Sequence, residues 1–276
     1  IRGNPDSDDT GLFLMVILNC QGMKNILTAL LLFALSTFGL SSTVKAASLA
    51  EPCAPIRVMS YNVRLGIAKD GENSWEIRKI ATPAMLEDLH PDVFGVQEAF
   101  QFQIDYILQE CPEYRAVGVG RDDGSEKGEH MSVFYNSCRF KLLDWGTYWL
   151  SDTPDVPSKG WDAKYIRNAT WTLLQDKVSG QKLFFVDTHL DNKGREAKSK
   201  GCALIIEKIH QMNPEGWPMV LVGDFNIGPD DVLHKELGTL MKDARSTALD
   251  SDSKMSFNDF KGPKWILDYI YYAGFS

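Results

Sequence analysis

The chain has 276 residues and carries 29 Lys plus Arg against 37 Asp plus Glu, a formal charge of −8. A hydrophobic fraction of 44% with 7 Trp and 14 Phe supports a sizeable core and excludes a mainly disordered chain. The acidic balance disfavours a nucleic-acid coat, because holding many phosphates takes a basic face; a polyanionic ligand would need a cation to help it bind.

In chain order, the first feature is Met23-Lys24-Asn25, which opens an apolar run over 26–40 followed by Ser41-Ser42-Thr43-Val44-Lys45-Ala46-Ala47. The run is short for a membrane span, and Val44 and Ala46 occupy the small-residue positions of a cleavage site. Residues 23–46 are therefore expected to be a signal peptide, and the product to be exported to a periplasmic or extracellular space. Residues 1–22, with an apolar patch at 12–18, fit neither a signal nor a domain and read as non-native sequence upstream of the start. One domain is expected over 47–276. Its cysteines, Cys53, Cys111, Cys138 and Cys202, fit no zinc spacing; in an oxidising compartment they admit three full pairings, with buried free thiols as the alternative.

Within that domain, 57–63 and 93–97 read as strands. The helical spacing of Trp75, Ile77, Ile80, Ala84, Met85 and Leu89 between them is interrupted by Pro83, which should kink or split the helix. A helix is expected over 100–110, then strands at 114–119, 131–135, 140–150, 169–175, 183–190, 219–225 and 266–272. Further helices are expected at 195–212 and 231–241, and 151–161, with Pro154, Pro157 and Gly160, reads as a loop. Strands interspersed with helices, without a Gly/Ser linker or repeat, indicate one α/β domain.

Polar residues recur at strand ends: Asn62, Glu98, His189, and Gly223-Asp224-Phe225-Asn226. In layered α/β folds such ends share a rim where sites form. Singly each has an ordinary account, since Asn62 can cap a turn, Glu98 can serve a helix N-terminus and His189 can be a hydrogen-bonded core residue. Together they point to a site.

Met59-Ser60-Tyr61-Asn62-Val63-Arg64, Val96-Gln97-Glu98, Asp187-Thr188-His189-Leu190-Asp191, Gly223-Asp224-Phe225-Asn226 and Leu267-Asp268-Tyr269-Ile270 follow one another in the order seen in a known superfamily. Over residues 56–276 the chain resembles the endonuclease/exonuclease/phosphatase family. The resemblance implies a four-layer α/β sandwich of two mixed β-sheets flanked by helices, and phosphoester hydrolysis with a divalent cation, Mg2+ or alternatively Mn2+ or Ca2+. It also implies that Glu98 is the main metal ligand, that Asn62 holds metal or phosphate, that Asp224 and Asn226 orient water and transition state, and that His189 donates to the phosphate. Glu129, in Gly128-Glu129-His130-Met131, matches a glutamate that supports the histidine, which would favour its charged form. Arg167 matches a phosphate-contacting arginine, with a surface ion pair as the alternative. The residue types suit the chemistry, because a phosphodiester resists nucleophiles until a cation, charge-stabilising donors and an oriented water are supplied, and hard oxygen ligands suit magnesium.

The family's final Ser-Asp-His segment, whose histidine pairs with the aspartate matching Asp268, has no counterpart after Asp268 in this sequence. The expectation is a C-terminally incomplete domain lacking its last strand. A catalytically silent phosphoester-binding protein is the competing reading. Small or lipid-linked phosphoesters are favoured over nucleic acid, and no obligate protein partner is expected. The loop over 118–125 reads as a solvated connection, and His130 and His234 as structural or exposed.

Overall fold

The structure, a computed structural model, describes residues 13–19, 54–252 and 254–275. The first strands are β1 (Phe13–Leu18) and β2 (Ile56–Asn62). The predicted helix between β2 and β3 is split, as Pro83 requires, into α1 (Trp75–Arg78) and α2 (Ala81–Leu89); the proline sits in the first turn of α2, where its missing N–H costs nothing. β3 (Val93–Ala99), α3 (Gln101–Glu110), β4 (Tyr114–Val117) and β5 (His130–Asn136) follow. Next come β6 (Phe140–Trp149), β7 (Asn168–Asp176), β8 (Lys182–His189) and α4 (Arg195–Met212). The chain continues through β9 (Met219–Asp224), α5 (Leu233–Leu237), β10 (Lys242–Asp243), α6 (Ala244–Thr247) and β11 (Asp268–Ala273).

One sheet has the order β1-β2-β3-β5-β4 and the other β10-β11-β9-β8-β7-β6. Each contains one parallel pair, β2 with β3 and β8 with β9, among antiparallel neighbours. The strands of these pairs are buried on both faces and so read as near-continuous apolar runs, VLVG in β9 and VFGV in β3. Val58, Val93, Val133, Phe185, Val222 and Ile270 fill the space between the sheets. Outside the first sheet, Met59, Phe94 and Phe134 pack under Leu86 and Ile104; outside the second, Phe184 and Leu221 pack under Ile205 and Leu233. The expected two mixed sheets flanked by helices are thus present.

Residues 13–18, which found no place in the sequence reading, form the edge strand β1, antiparallel to β2 with Phe13 opposite Tyr61 and Leu18 opposite Ile56. Alternation explains the fit: Leu14, Val16 and Leu18 enter the inter-sheet core, Met15 faces the helices, and Ile17 is exposed. The expected signal peptide lies outside the described residues, as do Cys20 and Cys53; Cys111, Cys138 and Cys202 are free thiols. Among the described residues no helix is long and apolar enough to cross a membrane.

The sheets approach closely at Gly95. A Cβ there would stand 2.5 Å from the Asp187 carboxyl carbon and 2.6 Å from Val222 Cγ2. Beside this seam Gln97 Nε2 donates to Asp187 Oδ1 at 2.6 Å, a buried bond joining the two parallel pairs. Gly95→Val is expected to cost about 3 kcal/mol through overpacking, read as a lowered urea midpoint; an unchanged midpoint would mean the seam is loose.

Candidate active site

The two parallel pairs end at one rim. Register places Asn62 opposite Gln97, next to Glu98, in the first sheet and His189 opposite Asp224 in the second, while β11 runs antiparallel and begins there with Asp268 opposite Asp224. Asn62, Glu98, Asp224 and Asp268 therefore share a cleft, closed on its far side by Phe257, Asn258 and Phe260.

Asn62 links the sheets. Its amide nitrogen donates to Glu98 Oε1 at 3.1 Å and to Asp224 Oδ2 at 3.2 Å, and its Oδ1 accepts from the Arg64 N–H at 3.0 Å. Glu98 Oε2 accepts from the Leu65 N–H, and Arg64, held by two bonds to Asp70, stands 3.9 Å away. In this arrangement Asn62 spaces two carboxylates and turns its oxygen to the backbone. Arg64, Glu98 and Asn226 all adopt left-handed backbone, with φ of 58°, 62° and 51°. Such conformations cost about 1–3 kcal/mol each in non-glycine residues and concentrate at functional sites.

Asn226 orders the other half. Its backbone N–H donates to Asp224 Oδ1 at 2.9 Å, and its side-chain nitrogen bonds the Leu190 carbonyl at 3.0 Å and His189 Nε2 at 3.1 Å. The carbonyl contact fixes which amide atom is nitrogen, so His189 Nε2 accepts and the ring proton belongs on Nδ1, an assignment made from this network. Asp224 Oδ2 lies 3.6 Å from Nε2.

Two expectations are corrected here. Glu129 was expected to grip His189 and favour its charged form. Its Oε2 is 3.9 Å from Nδ1, beyond hydrogen bonding, because Arg121 Nη1 holds that oxygen at 2.6 Å. Burial, joined by the charges of Arg167 and Arg121, holds the His189 pKa well below its ordinary value, so the ring is neutral. The loop over 118–125, expected to be a solvated connection, does expose Asp122, Asp123 and Ser125, but Arg121 within it is only 8% exposed, and its carbonyl accepts from Trp149 Nε1 at 2.7 Å. Arg121 is the residue that sequence reasoning missed. The surface alternative for Arg167 also falls, since that side chain is buried between Glu129 and Asp191. His130 is buried in β5, and His234 bonds Tyr271 and the Gly228 carbonyl, both apart from the rim cluster.

The carboxylates crowd one another. Burial and the Glu98 charge push the Asp224 pKa up to about 7, and burial with the Asp224 charge raises Asp268 well above the carboxylate range. Ser256 Oγ accepts from the Leu267 and Asp268 N–H groups, whereas Asp268 Oδ1 is buried with no hydrogen-bond partner. Glu98, His189 and Asp224 bring ligand atoms within 4.8 Å of one another, a spacing a single cation can span.

Residues 59–276 match the model of the Endonuclease/Exonuclease/phosphatase family. The chain belongs to this family. An endonuclease/exonuclease/phosphatase structure from Bacteroides vulgatus is 33% identical with a TM-score of 0.71, over 78% of this chain and 85% of that one. A mannosyl-6-phosphatase from Bacteroides thetaiotaomicron is 31% identical with a TM-score of 0.72, over 78% and 84%. A curated relative, an uncharacterized protein of Acanthamoeba polyphaga mimivirus, is 26% identical over 212 residues, 74% of this chain and 78% of that protein. As an endonuclease/exonuclease/phosphatase member, the chain draws its site from the same strand ends that its sequence motifs mark.

The raised Asp224 pKa has a measurable consequence. A carboxyl whose folded pKa exceeds its unfolded value of about 3.9 contributes stability that is complete below that value and is lost as pH rises through the folded pKa. In chelator, wild type should lose stability relative to Asp224→Asn between about pH 5 and about pH 8. Urea unfolding at both pH values checks this; a constant difference would place Asp224 outside the crowded cluster.

Proposed function

We propose that this protein is an exported, divalent-metal-dependent phosphoester hydrolase. The observation that carries the reading is the set of crowded carboxylate oxygens at the shared rim, Glu98 and Asp224 bridged by the Asn62 amide, with the unpartnered Oδ1 of Asp268 nearby. Crowded, buried carboxylates are relieved by a cation, and hard oxygen donors fit Mg2+. Glu98 and Asp224 would hold it, since His189 Nε2 is already engaged by Asn226. When bound, Mg2+ supplies Lewis-acid stabilisation of phosphoryl charge.

The protein's own groups supply the rest. Asp224, held by the Asn226 N–H and the Asn62 amide, is placed to orient a water. Neutral His189 offers its Nδ1 proton as a donor, and Arg167 stabilises charge on the phosphoryl group. Family membership supports phosphoester chemistry; the preference for small substrates rests on the acidic total charge and on the similarity to a mannosyl-6-phosphatase. Export rests on the lysine-led apolar run over 26–40, and cleavage after it would remove β1 from the exported domain.

A second reading, phosphoester binding without turnover, draws on Asp268. Its buried Oδ1 has no partner, and among the described residues no histidine bonds it. The two readings separate in a steady-state assay with p-nitrophenyl phosphate and bis(p-nitrophenyl) phosphate. Hydrolysis in Mg2+ that stops in EDTA, and falls about a thousandfold in Glu98→Ala, is the result expected of the enzyme. Activity persisting in EDTA would remove the metal, and phosphate binding without multiple turnovers would establish the silent binder.

A further inference from the structure

On the side of His189 away from the carboxylates, two guanidiniums are buried together. Arg121 is 8% exposed and Arg167 4%. Both lean on one carboxylate, Glu129 Oε2, at 2.6 and 3.7 Å. Asp191, 3.8 Å from Arg167 Nε, is already committed to four backbone N–H groups, those of Lys164, Tyr165, Lys193 and Gly194. Arg121 Nε, Arg167 Nε and Nη1, and His189 Nδ1 are buried without hydrogen-bond partners. Tyr165 lies against the two guanidiniums at 5.4 and 5.5 Å from its ring centre, and Lys164 adds a third cation to the same ring at 4.9 Å.

Stability does not account for this arrangement. Two like charges buried beside a neutral histidine repel one another, and a buried charge without a full partner set is costly. Burial and the Arg121 charge both lower the pKa of Arg167. The pair is nevertheless held rigidly. The Arg121 N–H bonds the Glu129 carbonyl, the Arg121 carbonyl takes Trp149 Nε1, and a Cβ at Gly120 would meet the Lys127 carbonyl oxygen at 2.3 Å. Two rigidly held guanidiniums with one close carboxylate between them carry an excess positive charge that an anion would offset.

We propose that Arg121 is a specificity-determining residue that, paired with Arg167, selects the terminal oxygens of a phosphomonoester dianion over a phosphodiester. This rests on the hydrolase reading and names its substrate class. A diester has two non-bridging oxygens, one of which must face the carboxylate side and its cation, leaving one for the arginines. A monoester has a third, so each guanidinium finds an oxygen, and its second negative charge offsets the second buried cation.

The test begins without catalysis. Inorganic phosphate is titrated by calorimetry into the full chain in chelator, as wild type, Arg121→Met and Arg121→Lys. Met is expected to weaken binding by about tenfold or more, with Lys, which keeps charge but loses the fork, in between. In Mg2+, Arg121→Met should raise KM for p-nitrophenyl phosphate by about tenfold while changing kcat/KM for bis(p-nitrophenyl) phosphate by less than about threefold. Unchanged phosphate binding, or equal losses on both esters, would overturn the proposal. Should Arg121→Met fail to fold, Arg121→Lys carries the test, and wild-type affinity in that variant overturns it. Wild type inactive on both esters would defeat the hydrolase reading, while the phosphate titration would still decide the role of Arg121.

Discussion

The site depends on one amide. Asn62 ends a strand of the first sheet, yet its side-chain nitrogen reaches a carboxylate from each sheet, Glu98 at 3.1 Å and Asp224 at 3.2 Å. Two carboxylates brought together across a sheet interface repel strongly in a low-dielectric setting. A donor shared between them lets the parallel pairs β2–β3 and β8–β9 terminate at a common rim. The Gln97–Asp187 bond makes the same kind of crossing deeper in the seam, with Asp187 raised well above the carboxylate range by burial. Polar cross-sheet links of this kind fix the relative position of two otherwise apolar sheet faces.

Such a rim is expensive, and the expense is local. Left-handed backbone at Arg64, Glu98 and Asn226, the orphaned Asp268 oxygen, and buried like charges on both flanks all act against folding. What offsets them lies away from the site. The inter-sheet cluster around Val58, Phe185 and Val222 and the two helix-covered clusters hold the strands so firmly that their ends must take the strained conformations. α4 shows the division of labour. Its inner face is packed by Ala197, Cys202, Ile205 and Ile209, while its first turn is capped by Asp162, which accepts from the Ala197 N–H at 2.7 Å. Lys198, one residue further, reaches the Asn226 carbonyl at 3.1 Å and so ties the core-anchored helix to the site.

Legibility in the sequence followed the strength of local pattern. Polar residues that close one apolar run after another mark strand ends when taken together, so Asn62, Glu98, His189 and Asp224 were legible as a rim. α4 was readable to its bounds, because 18 residues of helical spacing lie between Gly194 and Asn213. β1 was not, since six apolar residues ahead of a signal-like run look like sequence without a fold until β2 offers an edge. Arg121 was hidden for a different reason. A loop arginine is normally solvated, and its burial here depends on Glu129 and on Trp149 at the far end of β6, contacts that no spacing encodes. The charge state of His189 was misjudged on the same account: a carboxylate neighbour argued for imidazolium, and desolvation with two arginines outweighs it.

The two flanks of the cluster have opposite electrostatic demands. On the Asn62 side, burial with the Glu98 charge raises the proton affinity of Asp224, burial with the Asp224 charge raises that of Asp268, and a cation relieves both. On the Glu129 side, burial joined by the charges of Arg167 and Arg121 depresses His189, and the two guanidiniums are relieved by an anion. Asn226 is the boundary, because its backbone N–H serves Asp224 while its side-chain nitrogen serves His189. A proton cannot satisfy both flanks, since protonating the carboxylates removes the negative partners that Arg167 and His189 still have. A cation alone leaves the guanidiniums unpaired, and an anion alone adds charge beside the carboxylates. A phosphoryl group with a divalent cation would satisfy both at once, Glu98 and Asp224 holding the cation and the arginines supplying charge to the phosphoryl oxygens. Under the proposed function, ligand and cation would therefore bind cooperatively, each lowering the electrostatic cost of the other.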